Sequence, residues 1–568
     1  MTSIDNATIE AQFKDGSLIT TLSEGRWMTD DAGAVDELVC LHNAGTIDLA
    51  AVVKHDAFDK LGGHTFFVLQ HFFNQAIPKL ENISTDGMME LVATLVNKGG
   101  ADLAANQPNR AFLEWCSIDP TRADVVIHAA QNGSELAQKH LTFALQAKKD
   151  IAGAQMMSKS SAANVRLSAL TALSRIPHGT NEERASTVAA IRPLLDAEPD
   201  DALKAHVFMA AINPFEQAGV ALSEEAAQVV RLATSQPGPI CVHQAVQLLF
   251  NCKACLSSGM VTDLLNCARS VDAEHGGTIS LLDEALGKLL KTGHSAAAVQ
   301  FAKDVLSRSG GALSTEQLDG FARDLVQNRE ALHDLVLDWL LSGKQRLCQA
   351  VSDFLRRPGE TPIPLDLQFA SLTETQTYFV CRKAVGYLFL QPVLAGSILV
   401  SALRSAPDAL ADTIVNLLFD PMLVNYGGEL RLFLEGIKPD DASYDQVHKV
   451  LERQARYLDG LEAAGLIPEL HPSQYRRQLE RIRMVDFNRK VSKQAHRASI
   501  FWDAVHRSVL LHGSGSVTFV DDGEGVRRPV SMEMHPYEVS TEWPRMETVD
   551  PVGLDLTLRT FRAEQFRS

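Results

Sequence analysis

At 568 residues, with 45% hydrophobic and 22% charged side chains, the chain is too long for one hydrophobic core and too apolar for wholesale disorder, so several domains or a repeat array are expected. A formal net charge of −17 excludes a protein that coats nucleic acid or anionic membrane with its whole surface, and any such contact has to be local. Eight cysteines without dense paired spacing do not make a disulfide framework and suit a reducing cytoplasm, while 6% aromatic content beside plentiful Ala and Leu favours helices over sheets.

The chain starts with MTSIDNATIEAQFKDG, which places Asp5 and Glu10 where a signal peptide needs a basic patch and an apolar run, so no secretion is expected. Residues 1–150 read as an irregular helical region, with helices over Gly63–Ala76, Gly87–Val96, Asn109–Trp115 and Glu135–Ala147 separated by GGAD, NQP and SIDP. In HTFFVLQHFF, His64 and His71 share a helical face. Four phenylalanines and the lack of a nearby carboxylate make them core-edge histidines rather than metal ligands.

Residues 151–357 carry a repeat. In NVRLSALTALSRI, Val165, Ala169, Ala172 and Ile176 form an apolar stripe, and Asn164, Ser168, Thr171 and Arg175 a polar one. Small or apolar counterparts of Ala169 recur at Val207, Ala245, Ala285 and Ala322, roughly every 37 to 40 residues. Second helices are expected between them at Glu183–Leu195, Ser223–Ala233, Val261–Ala268, Ala296–Leu306 and Ala331–Leu341. A two-faced helix cannot hide its apolar stripe alone, so such pairs have to stack into an α-solenoid. Cys241, His243, Cys252, Cys255 and Cys267 contain one Cys-x-x-Cys, but the second half of a zinc site is missing, and they read as small core residues.

IRPLLDAEPDDALKAHVFMAAI (Ile191 to Ile212) resembles the junction of two HEAT repeats: an apolar helix ending in Pro-Leu-Leu, an Asp/Pro turn, then a helix with a basic residue near its start. SAANVRLSALTAL is similar to the same helix start, with Arg166 at the basic position, Lys204 as its counterpart, and His243 in that place after Pro239. The resemblance implies an architecture, and the basic positions are expected to satisfy turn carbonyls or acidic neighbours between repeats.

Arg357-Pro-Gly-Glu-Thr-Pro-Ile-Pro364 cannot continue a helix and marks a boundary. A second helical region, 365–470, follows without a clean repeat: Glu374–Leu390, Val393–Leu403, Pro407–Leu418, Met422–Glu435 and Ser443–Ala464. The uncharged stretch Ala384–Val400 is broken by Gln391-Pro392 and reads as two short buried helices, not a membrane span. Asn425-Tyr-Gly-Gly428 reads as a helix-end turn.

Residues 471–568 change character. Tyr475 to Arg507 holds nine Arg or Lys against three acidic residues. A long basic helix is expected there, with Leu479, Ile482, Val485 and Phe487 as its apolar stripe. Arg476, Arg477, Arg481, Arg483, Arg489, Lys490, Lys493 and Arg497 are its candidate contacts to a protein partner or to nucleic acid, against the plainer reading of a solvated face. Val517–Val520 and Val526–Met534 read as a hairpin around Asp521-Asp-Gly-Glu-Gly525, Tyr537–Trp543 as a third strand, and Pro551–Phe566 as a last helix. Asp521, Asp522 and Glu524 lack the spacing of a calcium loop.

Walker A, nucleophile-elbow, His-Glu-x-x-His, zinc-deaminase and dinucleotide fingerprints are absent, so no catalytic residue, cofactor or metal is assigned. The sequence is therefore read as mainly α, an α-solenoid of HEAT-like hairpins with a small C-terminal β-hairpin appendage. Its expected role is a cytoplasmic scaffold or adaptor in a multiprotein assembly, a setting compatible with a bacterial defence or stress system. The alternatives are a nucleic-acid-associated protein using 475–507 and an enzyme with a diverged active site.

Overall fold

The computed structural model describes residues 6–25, 33–196, 199–251, 255–308, 313–356, 363–498, 515–521, 527–533 and 542–566. They divide into two compact units, Met1–Ala331 and Leu332–Ser568.

In the first unit, α1 (Asn6–Asp15), α2 (Leu18–Ser23), α3 (Gly33–Asn43), α4 (Leu49–Val52) and α5 (Asp56–Lys60) lead into α6 (Gly63–Ala76), α7 (Thr85–Gly99), α8 (Gln107–Ile118), α9 (Pro120–Gln131), α10 (Glu135–Lys148) and α11 (Ile151–Met157). Helix pairs follow: α12 (Ala163–Arg175) with α13 (Asn181–Ile191), α14 (Asp201–Gln217) with α15 (Glu224–Ala233), α16 (Pro239–Asn251) with α17 (Ser258–Ala268), and α18 (Gly276–Lys291) with α19 (Ser295–Ser307), then α20 (Asp319–Gln327). The even-numbered helices from α6 to α20 pack each on the next as one layer; α11, α13 and α15, and then α17 and α19, pack in a second. This is stacked helical-repeat architecture, and the layer runs back without a break through α6, α8 and α10.

Local sequence sets the helix starts. Thr180 and Glu183 form a capping box on α13, and Ser223 and Ser257 cap α15 and α17 through their hydroxyls. The marker residues Ala169, Val207, Ala245, Ala285 and Ala322 are all buried. So are Val165, Ala172 and Ile176, but Leu170 and Leu173 are buried too, because α12 is covered by α10, α11 and α14 and not on one stripe alone.

Polar side chains tie one repeat to the next. The Asp201 carboxylate accepts from the N–H groups of Gly238 (2.8 Å), Ile240 (2.7 Å) and Cys241 (3.3 Å), capping α16 from α14. Asp283 of α18 does the same for α20 through Gly320 (2.8 Å) and Phe321 (2.7 Å). A Cβ on Gly238 or Gly320 would come within 2.4 or 2.6 Å of these carboxylates, so glycine is what lets the acid reach the helix end. Arg166 donates to the Ser160 carbonyl (3.1 Å) and Lys204 to the Gln236 carbonyl (3.0 Å), the turn-satisfying role expected of them; His243 meets Thr278 Oγ1 at 3.0 Å.

The second unit begins within α21 (Arg329–Leu341) and continues through α22 (Gln345–Leu355), α23 (Glu374–Leu388), α24 (Pro392–Leu403), α25 (Asp408–Leu417), α26 (Glu429–Glu435) and α27 (Tyr444–Gly465). Again α23, α25 and α27 pack in succession, and α24 packs on α26. The sequence shows no clean repeat here because α24 is buried on nearly all sides, from Leu394 to Leu403, which erases the two-faced pattern. Pro392 opens α24 as expected. Of the proline-rich boundary, residues 357–362 lie outside the described residues. Beyond it the chain runs extended along α24, burying alternate residues Leu365, Leu367 and Phe369, and the N–H groups of Leu365 and Leu367 donate to Ser397 and Ser401.

After α27 come α28 (Gln474–Ala498), the antiparallel strands β1 (Gly515–Asp521) and β2 (Arg527–Glu533), and α29 (Met546–Val549) and α30 (Pro551–Ala563). The strands pair in register from Gly515 with Glu533 to Asp521 with Arg527. The hairpin turn 522–526 lies outside the described residues, as do residues 537–541 of the expected third strand.

Candidate interaction surface

The 25-residue helix α28 is exposed along nearly its whole length. Arg476, Arg477, Arg481, Arg483, Arg489, Lys490 and Lys493 all face solvent, while the side chain of Arg497 and residues 499–507 lie outside the described residues. Arg476 and Arg489 reach the helix's own Glu480 (3.5 Å) and Asp486 (3.8 Å), contacts that exposed pairs make at little gain. The expected apolar stripe does not reach a core: only Leu479 is partly covered, and Ile482, Val485 and Phe487 remain 53%, 57% and 44% exposed. At about 100° per residue, Ile482 and Phe487 point about 140° apart, so no single seam forms for packing. Phe487 meets Trp543 edge-on at 5.3 Å between ring centroids.

Beyond the strands, Glu542 accepts from the N–H groups of Gly428 (2.7 Å) and Glu429 (3.0 Å) and so caps α26. Asn425, buried, accepts from the Met546 N–H (2.8 Å) and donates to the Pro421 carbonyl (2.7 Å). Farther on, α30 lies against α23. Lys383 is fully buried and its Nζ donates to the carbonyls of Arg562 (2.7 Å) and Glu564 (2.6 Å), the last turn and exit of α30; burial pushes its pKa down. Arg382 pairs with Glu564, Arg562 Nε donates to the Gly386 carbonyl (2.5 Å), and Phe379 meets Phe566 at 5.4 Å. Residues 542–566 are thus held on α23 and α26.

Neither anchor is visible in the sequence. Asn425-Tyr-Gly-Gly428 has the composition of a helix end, and its second role as a receptor for residues 542–546 involves partners more than 110 positions away. Lys383 reads as the charged flank of an apolar run, since the carbonyls it holds are about 180 positions distant.

Cys241 and Cys267 are buried, and burial pushes both thiols up to about 12, which disfavours the thiolate that a metal needs. Cys255 is buried, and Cys252 lies outside the described residues. Among the described residues no group of three or more His, Cys, Asp or Glu is placed to hold a metal. His64 and His71 are exposed and do not sit at the core edge expected from their phenylalanine neighbours, because Phe66, Phe72 and Phe73 turn to the core on the other face of α6; His71 Nε2 contacts Gln75 at 3.0 Å. The side chains of Asp521, Asp522 and Glu524 lie outside the described residues. No helix among the described residues is long and apolar enough to cross a membrane.

No family model matches the chain. Over 133 residues it is 32% identical to a probable exo-1,4-β-xylosidase (bxlB) of Aspergillus fumigatus, found in two strains, a stretch that covers 22% of this chain and 17% of that protein. The chain therefore spans less than a fifth of the length of these curated relatives. Among solved structures it is similar to an engineered protein (14% identity, 74% of this chain and 98% of that one, TM-score 0.23). It is also similar to a circular tandem repeat protein with novel repeat topology and enhanced subunit contact surfaces (13% identity, 81% and 100%, TM-score 0.20). At such scores the architecture rests on the helix-to-helix packing within each unit.

Proposed function

We propose that the chain is a HEAT-like scaffold or adaptor that works in the cytoplasm within a multiprotein assembly, with α28 as an arm that docks on an acidic face of a protein partner. On this reading residues 1–150, 151–357 and 365–470 are the helical body, and 471–568 is the docking module. The observation that carries it is a cationic helix of 25 residues whose Arg476, Arg477, Arg481, Arg483, Arg489, Lys490 and Lys493 stay in solvent, while the segment 542–566 that follows it is held on α23 and α26. An ordinary surface helix buries one face; this one leaves Ile482, Val485 and Val491 open beside its arginines, the mixture of apolar and guanidinium groups that interface cores favour.

Reversing the charge of Arg476, Arg477, Arg481 and Arg483 to Glu in the full chain tests it by affinity capture. Partner recovery falls several-fold while the melting temperature holds; undiminished recovery would refute the docking role. Nucleic acid is the second reading, favoured by the seven exposed cations on one helix. It requires binding to a DNA or RNA duplex that collapses steeply as salt rises and that the same reversal abolishes.

A further inference from the structure

We draw no further inference here: the strongest candidate, the open groove of about 750 Å3 that α24, α26 and the extended segment at 364–366 line with Val400, Leu432, Phe433 and Ile437, carries nothing, because Arg404 already pairs with its Asp366 and Asp441 carboxylates and nothing in the structure shows what covers it.

Discussion

Lys383 shows how much one side chain can decide. Its ammonium group is out of water and its hydrogen bonds go to two carbonyls of the returning C-terminal segment, so both sides of the contact lose if it is removed. Lys383→Met keeps the stem but orphans the carbonyls, at about 1–3 kcal/mol each. The expected outcome is a lower urea midpoint together with faster proteolytic cleavage within 542–566; an unchanged cleavage pattern would show that the clasp does not depend on it. Histidines set a second effect at this scale. His140 and His178 are buried, and burial lowers both pKa values, with His178 held between the Ile176 carbonyl (2.8 Å) and Thr187 Oγ1 (2.9 Å). The fold therefore keeps them neutral, whereas the unfolded chain takes up protons near pH 6.5, the ordinary value of about 6.5 for His. Between the unfolded and the lower folded pKa the unfolded state binds more protons, so their contribution is complete above the ordinary value and declines as pH falls below it. Urea midpoints measured from pH 7.5 down to 5.5 are expected to drop, with a shallower drop in His140→Gln.

Between elements, the recurrent device is an acid on one helix capping the start of the helix one repeat later. Asp201 serves three N–H groups of α16 and Asp283 serves two of α20, each across a glycine that leaves room for the carboxylate. Asp201→Ala removes a helix cap and a repeat-to-repeat tie together and is expected to cost about 1–2 kcal/mol. Equilibrium denaturation checks the size. A substitution at Gly238 to Ala is expected to act in the same direction, since its Cβ would displace the same carboxylate, and a neutral result in both would remove the device from the account. The arm follows the opposite rule. With Arg476, Arg477, Arg481 and Arg483 of α28 in solvent, charge reversal there is expected to move stability by no more than about 0.5 kcal/mol per position, which is why loss of a partner can be read as loss of contact.

Across the first unit, each stacked helix leans on its neighbours in the array, so its stability is a sum over nearest-neighbour contacts. Val207, fully buried in α14, is the place to test it. Val207→Asp is expected to raise hydrogen exchange first in α12, α14 and α16, which touch, and only later in α6 and α8, which lie several helices away. Uniform loss of protection from α6 to α20 would mean that the unit unfolds as one globular core.

The amphipathic spacing in NVRLSALTALSRI and its recurrence at Val207, Ala245, Ala285 and Ala322 were enough to predict paired helices in unit 1, because a stripe that cannot be hidden alone demands a stacked neighbour. The basic run and its helix were also readable from residue type alone. Tertiary structure decided what depends on distant partners: that α23 to α27 stack although α24 shows no polar face, and that Asn425 and Lys383 receive residues 542–566. Local periodicity encodes which face of a helix avoids water, but the meeting of side chains 38 to 180 positions apart is fixed only when the layers close.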